Sequence, residues 1–138
     1  AMIAIAQDNF PETQWEVQDA RDLNEPDASW DCVLLMHSLD HIDDYQAAIK
    51  SAARVASKYV CIILWRGFVN EGTRLNDRNM MGKQEGEEPW KDTHLQEYSR
   101  EALEEAFKKN GLAIEHIAEG ELINSDNSKN FLYLLKKV

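Results

Sequence analysis

The sequence predicts one α/β domain with a mainly parallel sheet and an antiparallel strand pair at its C-terminal end. Two observations carry this reading. Residues 30–65 run from an apolar strand through an amphipathic helix to a second apolar strand, a βαβ unit with a right-handed crossover. Further on, another amphipathic helix is followed by two apolar runs separated by a short polar link. That link holds no helix, so the two runs should pair antiparallel. The length of 138 residues suits a single domain over 1–138, large enough to bury about two-thirds of the surface its unfolded chain exposes.

Taken in order, residues 2–9 (MIAIAQDN) read as a short helix, stopped before Pro11 by the steric demand proline makes on the residue ahead of it. Trp15-Glu16-Val17-Gln18 is a brief extended segment, and Asp19–Ser29 is a polar loop holding Pro26. Trp30–Met36 (WDCVLLM) is almost continuously apolar, the pattern of a strand covered on both faces. Asp43 or Asp44 caps a helix running to about Ser57, with Tyr45, Ala48, Ile49, Ala52, Ala53 and Ala56 at helical spacing. Tyr59–Trp65 (YVCIILW) is the second buried strand.

Residues 66–98 hold four of the six glycines, many charges and weak periodicity, and read as one long loop within the domain. Ser99 then caps a helix with Ala102, Leu103, Ala106 and Phe107 on one face. Lys108 and Lys109 suit its C-terminal dipole, and Gly111 closes it. Leu112–Ile117 and Phe131–Leu135 are the final two strands.

Fifteen basic against twenty-five acidic side chains leave a net charge of −10, which argues against nucleic-acid backbones and anionic membranes as partners. The acids crowd the start: residues 1–31 carry eight of them against Arg21 alone. Such a block reads as a solvated face, or as a surface for a basic neighbour. No apolar run approaches the roughly 18 residues of a membrane span, and no charged-then-apolar leader is present. Cys32 and Cys61 lie in apolar runs without CxxC spacing, so the expectation is two buried, reduced thiols in a cytoplasmic protein. All six glycines fall after residue 66, so no glycine-rich phosphate or nucleoside cradle lies in the first half.

This order of elements, taken with its residues, resembles the C-terminal two-thirds of a class I S-adenosylmethionine-dependent methyltransferase. The stretches that carry the resemblance are Gln18-Asp19-Ala20-Arg21-Asp22-Leu23, Ser29-Trp30-Asp31-Cys32-Val33, His37-Ser38-Leu39-Asp40-His41-Ile42 and Ala53-Arg54-Val55. The resemblance implies a truncated Rossmann-like fold with S-adenosylmethionine as cofactor. By that likeness Asp19 accepts from the adenine amine, the Ala20 amide donates to a ring nitrogen, and His37 and Ser38 line the cofactor at the carboxyl edge of the sheet. The family's first strand, its glycine-rich loop and its ribose-binding acid would precede Met2. Their absence from these residues implies weak or absent cofactor binding by the chain alone.

His41 is the candidate general base, because imidazole titrates near neutral pH and the acceptor to be methylated must lose a proton. His37 and His41 have the i, i+4 spacing that suits zinc on a helix, but they straddle a strand end and a helix start. Polar loop contacts and N-capping are therefore expected there, and no metal. Trp65 and Arg66 end the second strand at the ligand-facing edge. They read either as an aromatic wall and a carboxylate-binding guanidinium for substrate, or as a core tryptophan and a surface arginine. Trp90 with Met80 and Met81 reads as a lid or as an anchor of the long loop. Glu85, Glu87 and Glu88 read as solvated, and His94 and His116 as surface residues.

The leading expectation is a methyltransferase-like protein acting on a small molecule the sequence does not name. The competing ones are a non-catalytic binding or assembly module and one half of a split enzyme. In the family's strand order the absent strands lie beside Trp30–Met36. That edge would be left open, so a homodimer covering it is expected.

Overall fold

The computed structural model describes residues 2–64, 73–76, 95–121 and 129–138. Its element order is α1 (Met2–Asn9), β1 (Trp30–Met36), a 3-10 turn (Leu39–His41), α2 (Tyr45–Val55), β2 (Ala56–Leu64), β3 (Thr73–Asn76), β4 (Leu95–Tyr98), α3 (Arg100–Lys109), β5 (Leu112–Glu121) and β6 (Lys129–Lys137). One sheet holds four strands in the order β1-β2-β6-β5, and β3 pairs with β4 in a separate antiparallel ribbon.

The βαβ unit forms as the hydrophobic pattern requires. Asp44 caps α2 by accepting from the Ala47 amide at 3.0 Å, and the helix buries Ala48, Ile49, Ala52 and Ala53. Its last residue, Val55, leads directly into β2 at Ala56, which lies parallel to β1. Ser99 caps α3 in the same way, accepting from the Ala102 amide at 3.1 Å. Beyond α3, Gly111 takes a φ of +67°, the left-handed turn that closes a helix and that glycine adopts without steric cost.

The sheet departs from the sequence expectation in its balance. Only β1 and β2 run parallel; β6 is antiparallel to both β2 and β5. One crossover helix gives one parallel pair, while the short link between β5 and β6 enforces the antiparallel one. The 66–98 stretch is also not loop throughout, since β3 and β4 lie within it. Four residues each is too short for a periodic signal. Trp15–Gln18 forms no strand, and Val17 is 84% exposed. An extended segment becomes a strand by pairing, and the described sheet places no neighbour beside it.

The larger correction concerns β1. Both α2 and α3 pack on one face of the sheet, against Leu35, Val60, Ile62, Tyr133 and Leu135. The opposite pleat carries Cys32, Leu34 and Met36 on β1, level with Tyr59, Cys61 and Ile63 on β2. There Leu34 is 53% and Met36 59% exposed. Among the described residues the strand is therefore covered on one face only, although its sequence is apolar on both. Cys32 is correspondingly exposed and Cys61 half-buried, and both are free thiols rather than buried ones. Helix α1 buries none of its residues.

Candidate functional site

Three segments converge at the carboxyl edge of β1. The first is the strand's own continuation. His37 follows Met36 with a φ of +48°, a left-handed conformation that side chains rarely adopt, while its amide donates to the Ile63 carbonyl at 2.9 Å and extends the β1–β2 ladder by one bond. Ser38 is half-buried and opens the 3-10 turn, its carbonyl accepting from the His41 amide at 3.1 Å. His41 is exposed, whereas Leu39 and Asp40 are buried.

The second segment is 18–28. The charges of Asp43 and Asp44, at the start of α2, act on the Arg21 guanidinium, and Ala20 packs against the core. From there the chain runs down the helix. The Leu23 amide donates to Ser51 Oγ at 2.9 Å. Arg54 then holds the lower part, donating through one amino group to the Glu25 carbonyl at 2.7 Å and to Asp27 at 2.8 Å, and through the other to the Leu23 carbonyl. Arg54 carried part of the family likeness; its clamp on this loop was not foreseen, because its partners lie between 27 and 31 residues away.

The third segment is Tyr98, at the end of β4. Its hydroxyl donates to the Leu39 carbonyl at 2.7 Å, and its ring sits 4.7 Å from that of Tyr45. Burial, joined by the charge of Asp40, pushes its pKa far above the ordinary tyrosine range, so it remains a neutral donor. Sequence reasoning passed over this residue. The available signal was local: Tyr98 precedes the cap Ser99 and Leu103 follows it, the spacing of a hydrophobic staple, and both are buried.

Asp19, the expected adenine acceptor, is exposed and bound to its own neighbour. The Arg21 guanidinium forks onto both carboxylate oxygens, at 2.7 to 3.1 Å, and the Arg21 amide adds a bond of 2.9 Å to Oδ1. These bonds hold the carboxyl at about 2, well below its ordinary 3.8. Ala20 packs against the core, and no described residue accepts from its amide. A carboxylate acceptor next to an available backbone donor suits the amine and ring nitrogen of a purine, provided Arg21 shares the carboxylate.

Ala20 also lines an open cleft of about 390 Å³ that continues past Leu23 to Trp30. Its walls are acidic and amide-rich. The Gln18 side-chain amide bridges Glu16 at 2.6 Å and Glu25 at 3.2 Å. Trp30, expected to be buried, is 48% exposed there. His37, Ser38 and His41 do not line this cleft, so Ala20 and the histidine-bearing turn do not share it. Trp65 and Arg66, with Met80, Met81, Glu85, Glu87, Glu88, Trp90 and His94, lie outside the described residues. Among the described residues, no group of three or more His, Cys, Asp or Glu could hold a metal ion, and no helix is long and apolar enough to cross a membrane.

Comparison with known proteins agrees with this architecture. A solved structure of an S-adenosylmethionine-dependent methyltransferase from Methanosarcina mazei superimposes with a TM-score of 0.75 over 99% of this chain and 77% of its own, at 16% identity. The [4+2]-cyclase SpnF superimposes with a TM-score of 0.67 over 98% of this chain and 62% of its own, also at 16% identity. At that identity both show shared fold alone. Ajmaline N-methyltransferase from Rauvolfia serpentina is 34% identical over 62 residues, a stretch that is 45% of this chain and spans only about a fifth of that relative's length (21%). A family model described as a methyltransferase domain matches residues 2–117, most of the chain, and the protein therefore belongs to the methyltransferase domain family.

Proposed function

We propose that this protein is an S-adenosylmethionine-dependent methyltransferase-like protein of the cytoplasm, with a small molecule as methyl acceptor. The observation that carries the reading is the family match over residues 2–117, joined to the His37–His41 turn at the carboxyl edge of β1 and to the charges of Asp43 and Asp44 that act on Arg21. Ligands of open α/β sheets bind at that edge. When bound, S-adenosylmethionine supplies an electrophilic methyl group on its sulfonium.

In this reading Asp19 accepts from the adenine amine and the Ala20 amide donates to the ring. His37 and Ser38 border the donor, and His41 takes the proton that the acceptor releases. Trp65 and Arg66 remain the proposed substrate contacts. These groups act by holding donor and acceptor in line, which is the larger part of such a reaction's acceleration. The residues present supply contacts to the adenine end. No glycine occurs before Gly67, so a glycine-rich cradle for the rest of the cofactor has to come from elsewhere. Binding by this chain alone is accordingly weak.

A non-catalytic module, or one half of a split enzyme, is the second reading. It is favoured by the grip of Arg21 on both Asp19 oxygens, which occupies the carboxylate that adenine would need. Calorimetric titration with S-adenosylmethionine and S-adenosylhomocysteine separates the two. Micromolar binding that Asp19→Ala abolishes supports the enzyme; no heat at millimolar ligand leaves the module.

A further inference from the structure

Asp19 and Arg21 sit in a turn that closes on itself. The Asp22 amide donates to the Asp19 carbonyl at 3.0 Å, and the Arg21 amide donates to Asp19 Oδ1 at 2.9 Å. The second bond is that of an Asx turn, in which an aspartate side chain accepts from the backbone two residues on. These bonds already set the direction of the carboxylate. The guanidinium is an addition to them: Arg21 Nε reaches Oδ1 at 3.0 Å and Oδ2 at 3.1 Å, and one amino group reaches Oδ2 at 2.7 Å. The partners are two residues apart, so the pairing is made by the local chain alone.

The two oxygens are therefore held differently. Oδ1 keeps its backbone amide whatever the guanidinium does, whereas the short bond at Oδ2 comes from the guanidinium. Two features allow that group to leave. Arg21 is 47% and Asp19 51% exposed, and an ion pair so open to water holds weakly. The guanidinium also has a second destination. Its pKa is raised first by the hydrogen bonds and charge of Asp19, and then by the charges of Asp43 and Asp44. Those two acids are exposed where α2 begins.

We propose that Arg21 is a latch on the adenine site: without ligand its guanidinium covers Asp19 Oδ2, and an incoming adenine amine takes that oxygen while Arg21 turns toward Asp43 and Asp44. The proposal rests on the reading of Asp19 as the adenine acceptor. A neutral amine replaces a cation that stays among carboxylates, so the net charge of the region does not change. The latch also selects. An amine replaces the lost fork with a charge-assisted hydrogen bond, while a purine with a carbonyl oxygen in that place meets the carboxylate acceptor to acceptor.

Adenosine, which is uncharged, is the probe, with inosine beside it as the purine that has the carbonyl. In the unaltered protein the ¹⁵N signal of Arg21 Nε should move with adenosine and not with inosine, a measurement that needs no variant to fold. By calorimetry, Arg21→Ala should bind adenosine about two- to fivefold tighter, the range an exposed ion pair supplies. Asp43→Asn combined with Asp44→Asn should bind it more weakly than the unaltered protein, asparagine preserving the α2 cap. Raising salt from about 0.01 to about 1 M screens the pair, so adenosine should bind the unaltered protein more tightly and Arg21→Ala no more tightly. A merely structural arginine would give no such rise. Adenosine bound in preference to inosine, with Arg21→Ala no tighter and the Nε signal unmoved, overturns the latch and leaves the reading of Asp19 standing. An unchanged affinity in the Asp43 and Asp44 variant overturns the second destination. Equal binding of the two nucleosides, or no binding of either by any of these proteins, overturns the reading of Asp19 and the latch with it.

Discussion

The Tyr98 hydroxyl donates to the Leu39 carbonyl at 2.7 Å across 59 positions of sequence, tying the end of β4 to the turn that carries His41. The Leu39 carbonyl also accepts from the Ile42 amide at 3.1 Å, so it keeps a partner when the tyrosine is altered. Tyr98→Phe should therefore cost only about 1 kcal/mol of stability, read from the shift in urea midpoint. The informative change is local: amide exchange at His41 and Ile42 should quicken more than exchange within α2. Equal acceleration in both would show that the hydroxyl does not fix the turn.

The Asp19 carboxyl, held at about 2 by the Arg21 fork, has a folded value below its ordinary 3.8. The sign follows from that direction. The pair's contribution is complete above the unfolded value and disappears as pH falls through about 2. Carbon NMR of the side chain should show a midpoint near 2 in the native protein, moving toward 3.8 in Arg21→Ala. An unmoved midpoint would mean that Arg21 is not what holds the charge.

His37 adopts its φ of +48° where the β1 ladder ends. Histidine tolerates this region better than branched residues do, and glycine enters it freely. His37→Gly should leave the unfolding midpoint unchanged or slightly raised. His37→Val should lower stability by about 1–2 kcal/mol. Thermal denaturation of the two variants side by side distinguishes backbone strain from loss of the imidazole, because both lose the ring.

Arg54 binds Leu23, Glu25 and Asp27 at once, and its own carbonyl accepts from the Ala28 amide at 2.9 Å. Its side chain is about one-third exposed, so solvent screens part of the charge. Arg54→Ala should cost about 1–2 kcal/mol. Arg54→Lys should recover little of it, since an ammonium group cannot reproduce the fork. Limited proteolysis should find the 18–28 segment newly susceptible in both variants.

The sequence announced what periodicity and capping encode. The α2 helix, its Asp44 cap, the Ser99 cap of α3 and the antiparallel partnership of β5 with β6 all follow from local patterns. It misjudged Trp30, Cys32, Leu34 and Met36 because an apolar side chain reports a preference for burial and not whether anything is there to bury it. Ala20 and Arg54 stood within recognisable stretches, but their contacts depend on a loop crossing α2, which no spacing rule describes. Tyr98 was missed because its partner Leu39 lies across the chain. The Asp19–Arg21 pair shows the opposite case: two residues adjacent enough to read, whose engagement with each other changes what either offers to a ligand.

The strand order β1-β2-β6-β5 has a consequence for how the protein is made. Among the described residues β5 pairs with β6 alone, and β6 joins it to β2. As residues leave the ribosome, the βαβ unit can close early, while β5 must wait with both edges unpaired until residues 129–137 have followed it. The sheet is completed by its second-to-last strand in space and its latest in time. Between the emergence of Glu121 and that of Lys129, the chain holds its βαβ unit ready to form while β5 has no strand to pair with.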